Sequence, residues 1–136
     1  MTCWFTDYLP DLRFEHPGVM REAVDDALWW DRRFDVDGVR IDAVFMMPRG
    51  ATRWIAHALR EDEWTETPDV ALGEAFTGPG DSAIDALRYY LGPDGLDSVF
   101  DFPFMWAVRD VVAHDSPAGF AALEDIAPIL SGQVTD

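Results

Sequence analysis

Cysteine is almost absent. Cys3 is the one thiol in 136 residues, so no intrachain disulfide can form and a multi-cysteine zinc site is excluded, while the compartment stays open. Basic residues are scarce too. Ten Lys and Arg stand against 26 Asp and Glu, a formal charge of −16, and such a surface repels phosphate backbones and anionic headgroups. Neither nucleic acid nor a membrane is expected as a partner. No apolar run reaches the roughly 18 to 20 residues of a bilayer span. The opening MTCWFTDYLPDL has acids where an export signal would be basic and then apolar, so no signal peptide is read there. His16, His57 and His114 are scattered, with no second ligand at metal spacing, which predicts surface or helix-end positions for all three.

Apolar material is plentiful, at 49% hydrophobic and 13% aromatic, enough for a packed core. The acids spread along the chain rather than forming a tail, which reads as a solvated surface. No linker, low-complexity tract or second domain stands out, and residues 1–136 read as a single domain-sized segment.

Pro17 suits a first helical turn, and Val19, Ala23, Ala27 and Trp30 recur at helical spacing, predicting a helix from about Pro17 to Arg33 with Trp29 and Trp30 as packing anchors. VDGVRIDAV alternates with a period of two and predicts a strand with Arg40 and Asp42 on one face. ATRWIAHALRE reads as a helix, DVALGEAF as a strand and SAIDALRYYLG as a helix closing near Gly92. LDSVFDFPF reads as a strand closed by Pro103, followed by MWAVRDVVAH and by a helix from Ser116 and Pro117 to about Leu130. Strands alternating with helices imply an α/β fold with parallel strands and crossover connections.

LPDL at Leu9–Leu12, DGVRIDAV at Asp37–Val44 and GEAF at Gly73–Phe76 occur in order, and GLDSVFDFPF follows them. With these motifs the chain resembles the α-amylase family, glycoside hydrolase family 13. The resemblance implies a (β/α)8 TIM barrel acting on α-glucans with retention, of which this chain would hold a part, about strands 4 to 6 with flanking helices. It makes Asp42 the nucleophile and Glu74 the acid/base. Arg40 would position and charge the nucleophile, since a guanidinium two residues away on the same strand face favours a charged carboxylate. Val70 and Leu72, on the strand face of Glu74, suit a proton donor. Phe45 and Phe76, each just beyond a catalytic carboxylate, could stack on a sugar face, and with Asp11 of LPDL they complete the substrate-binding set.

The chain departs from the family at Arg13, where an asparagine is usual, and at Phe45 and Met46, where classical amylases carry Lys and His. The early Asp-x-x-x-Asn-His and late Asn-His-Asp motifs are absent, and the late one supplies a third carboxylate. Calcium accompanies the parent family, but no metal ligand is assignable, because the usual first ligands would precede this chain. A whole barrel takes about 250 residues, so this chain is expected to expose strand edges and to self-associate through them. The readings that follow are a retaining α-glucan hydrolase, an inactive fragment that only binds glucan or needs its missing half, and a relative acting on sucrose, trehalose or short α-glucosides.

Overall fold

The computed structural model describes residues 8, 10–64 and 69–114, which leaves the helix expected from Ser116 outside the described residues. The chain divides into two compact units, one of residues 1–75 with 88–100 and the other of residues 76–87 with 101–136.

In the first unit, α1 (Pro17–Phe34) begins at His16, whose Nδ1 accepts the Gly18 N–H at 3.1 Å, and ends where Asp35 turns left-handed at φ 52°. Its inward stripe runs through Ala23, Ala27 and Asp31 rather than through the tryptophans. Trp29 and Trp30 therefore fall on the flanks, 53% and 55% exposed, which corrects their expected role as packing anchors. β1 (Gly38–Ile41), β2 (Val70–Gly73) and β3 (Ser98–Val99) form a parallel sheet in the order β1-β2-β3. A 3-10 turn (Val44–Met46) and α2 (Arg49–Arg60) connect β1 to β2, so the expected parallel βαβ alternation is present.

The core of this unit is built from small and branched side chains. Ala51, Ile55, Ala56 and Leu59 line the inner face of α2 at helical spacing and are buried with Val44, Ala71 and Leu96. Gly73 is required where β2 ends, because a Cβ there would strike the Leu96 side chain. Asp97 aligns β3 on β2: its Oδ2 accepts the Ala71 N–H at 2.9 Å while its Oδ1 pairs with Arg60 at 2.9 Å. At the opposite end of the sheet from the motif carboxylates, Asp31 is wholly buried and Asp69, just before β2, is 4% exposed. Both Asp31 carboxyl oxygens and Asp69 Oδ2 lack a hydrogen-bond partner. Burial first, and the Asp31 carboxyl second, push Asp69 up to about 6.

The second unit holds the start of α3 (Asp81–Tyr90) and all of α4 (Phe102–His114). The third strand is shorter than expected and Pro103 does not close it. Pro103 is instead the second residue of α4, where its missing N–H leaves no helical bond unmade, and Asp101 Oδ1 caps that helix by accepting the Phe104 N–H at 2.9 Å. Trp106 Nε1 donates to the Thr77 carbonyl at 2.7 Å. Among the described residues no helix is long and apolar enough to cross a membrane.

Candidate active site

Two short parallel strands carry the motif carboxylates to one row. The register pairs Gly38 with Val70 and Ile41 with Gly73, so Asp42 and Glu74 each follow the last paired residue of a neighbouring strand. The Glu74 backbone continues the ladder, its N–H donating to the Ile41 carbonyl at 2.8 Å and its carbonyl accepting the Val44 N–H at 3.0 Å. Ala43 ends β1 by entering the left-handed region at φ 45° and ψ 49°, a conformation costing an alanine on the order of 1–2 kcal/mol. The strand expected through Val44 thus stops at Ile41, and Asp42 stands at the turn with a side chain 73% exposed.

Arg40 joins the two carboxylates. Its Nη2 lies 2.9 Å from Asp42 Oδ1 and 2.8 Å from Glu74 Oε2. The Asp42 contact is the same-face pairing that a period of two predicts. The Glu74 contact crosses to β2 and adds a cation to the apolar surroundings and nearby carboxylate expected for that side chain, because Arg40 is opposite Leu72 and its long stem reaches two residues further up the next strand. Glu74 Oε2 also lies 3.5 Å from the Ala43 N–H.

Phe100 is the residue that sequence reasoning missed. Gly73 pairs with Val99, so Phe100 follows β3 as Glu74 follows β2, and the Arg40 guanidinium lies 5.8 Å from the centre of its ring. The same strand-end rule that selects Asp42 and Glu74 selects Phe100, once the strand is known to stop at Val99.

The remaining expected residues are dispersed. Asp11 lines an open depression of about 550 Å³ together with Phe14, Trp30, Arg40, Asp42 and Met47, and its Oδ2 is buried without a hydrogen-bond partner. Phe45 is 37% exposed and sits edge-on to Tyr90 at 5.3 Å, in the first unit but not among the walls of that depression. Phe76 belongs to the second unit, where it packs edge-on to Phe102 at 4.8 Å and remains 60% exposed. His16 caps α1, His57 is exposed on α2, and His114 ends α4 beside Asp110 at 3.2 Å. No three His, Cys, Asp or Glu side chains gather as a metal site among the described residues.

Asp42, Glu74 and Arg40 thus stand together at the C-terminal end of a parallel three-stranded sheet. No family model matches the chain. The sequence is 29% identical over 107 residues to a beta/alpha-amylase of Paenibacillus polymyxa, covering 79% of this chain and 8% of that protein. It is 32% identical over 100 residues to a cyclomaltodextrinase of Geobacillus thermopakistaniensis, and 30% identical over 101 residues to an intracellular maltogenic amylase of Bacillus subtilis. These matches cover 73% and 74% of this chain and 15% of each relative. Over 73 to 79% of its length the chain is thus similar, at low identity, to members of the α-amylase family, glycoside hydrolase family 13, and it spans 8 to 15% of the length of these curated relatives.

Proposed function

We propose that these residues supply the nucleophile and acid/base of a retaining α-glucan hydrolase, acting on α-1,4-glucosidic bonds of starch or maltooligosaccharides as strands 4 to 6 of a (β/α)8 barrel. The observation that carries this reading is the strand register, which ends two neighbouring strands at Asp42 and Glu74, with the Arg40 guanidinium 2.9 and 2.8 Å from the two acids. The names of the relatives, an amylase and a cyclomaltodextrinase among them, support α-glucan as the substrate class.

In this mechanism the Asp42 carboxylate attacks the anomeric carbon while the glycosidic C–O bond breaks and Glu74 gives its proton to the departing oxygen. Glu74, now a carboxylate, takes a proton from water as that water attacks the same carbon and releases Asp42. Arg40 must withdraw from Glu74 as the sugar enters, since the acid has to reach the glycosidic oxygen. Asp11 receives a sugar hydroxyl, and Phe45 offers a ring face to the substrate.

The test is release of reducing ends from soluble starch by the purified chain beside Glu74→Gln. The mutant is expected to lose about 10²- to 10⁴-fold, the usual weight of a general acid. Equal signals from the two proteins would reject catalysis by this chain and favour a second reading, a glucan-binding piece that needs its completing barrel half. The small share of each relative that it covers is the observation behind that alternative.

A further inference from the structure

Away from the carboxylate row, α1 and the segment after α2 enclose a second groove in the first unit, of about 490 Å³, lined by Asp25, Leu28, Trp29, Arg32, Arg33 and Trp64. Its two tryptophans, Trp29 and Trp64, are 53% and 68% exposed, so both rings are open to a ligand. Trp29 stands edge-on to Trp30 at 4.9 Å and to Phe34 at 5.9 Å. Arg32 donates from Nε and Nη2 to the two Asp62 oxygens, each at 2.8 Å, a fork that holds the Asp62 carboxyl below its ordinary range. The Trp64 N–H lies 3.4 Å from the same carboxylate, so Asp62 ties both walls of the groove together. The fork uses two of the three guanidinium nitrogens, leaving the Nη1 donors for a ligand.

We propose that this groove is a second carbohydrate site, which holds a neutral α-glucan chain on the Trp29 and Trp64 rings. Pyranose rings present apolar C–H faces that pair with aromatic rings, and their hydroxyls both donate and accept. Asp25 accepts, Arg32 and Arg33 donate, and a lining of mixed sign selects a neutral polyol over an ion. The formal charge of −16 argues further against an anionic polymer. That the sugar is an α-glucan rests on the proposed function; that the groove takes a sugar rests on its own lining.

The test is affinity electrophoresis of Glu74→Gln through gels containing soluble starch, beside gels containing hydroxyethyl cellulose. Adding Trp64→Ala is expected to weaken starch retardation at least tenfold, Trp29→Ala to do the same, and Trp64→Phe to retain most of it. Trp64 is exposed enough that its truncation opens no cavity, and near-UV circular dichroism checks the fold. Starch retardation unchanged by the tryptophan substitutions, absent from every protein, or replaced by cellulose retardation would overturn the site. So would a change of oligomeric state without a change of retardation. Reducing-end release by the unmutated chain judges the catalytic reading separately, because neither tryptophan lies among the residues placed in that chemistry.

Discussion

At the scale of single residues, the site is governed by how one arginine divides itself between two acids. Arg40 is 46% exposed and its pairs are surface ion pairs, worth about 0–1 kcal/mol to the fold. Arg40→Met is therefore expected to leave the melting temperature almost unchanged while lowering starch hydrolysis by at least about 10²-fold, which a thermal melt and a reducing-end assay check together. Asp69 presents the opposite case, a carboxyl used by stability and not by chemistry. Its folded value of about 6 lies above the ordinary 3.8, so the folded state binds more protons than the unfolded one. Its contribution is present below about pH 4 and is lost as pH rises toward 6. Asp69→Asn removes that loss. Urea melts should show the mutant matching the parent near pH 4 and exceeding it by on the order of 1–2 kcal/mol above pH 6.5. A difference that stayed constant across this range would contradict the assignment.

At the scale of elements, the sheet depends on a few contacts that short strands need. β3 has only Ser98 and Val99, and Asp97 holds its start against β2 and α2 together. Asp97→Ala would leave the Ala71 N–H without its side-chain acceptor in a fully buried position, which is expected to cost about 1–3 kcal/mol in a denaturant melt. The described helices, the parallel alternation and the same-face pair of Arg40 and Asp42 were legible from periodicity, because burial imposes 3.6 on a helix and two on a strand. Strand ends were not legible. β1 stops because Ala43 turns left-handed, and β3 stops two residues before α4 begins, and neither event changes the hydrophobic pattern. The reach of Arg40 to Glu74 and the place of Phe100 depend on register between strands, which a single sequence does not encode locally. Trp29 and Trp30 misled for a related reason: helical spacing fixes which residues share a face, whereas Asp31 rather than Trp30 occupies the inner one.

At the scale of the molecule, the first unit presents a parallel sheet whose outer strands, β1 and β3, have no further strand paired to them among the described residues. Open edges pair with other chains, so we expect the protein to self-associate, and a monodisperse monomer in light scattering would contradict this. The chain spans 8 to 15% of the length of the curated relatives it matches. The central claim, that Asp42 is the nucleophile of a retaining glycosidase, is tested most directly by incubating the chain with 5-fluoro-α-glucosyl fluoride and mapping the covalent label by peptide mass spectrometry. The account predicts a glucosyl ester on Asp42 that is absent in Asp42→Asn; no adduct, or an adduct on another residue that persists in Asp42→Asn, would contradict it.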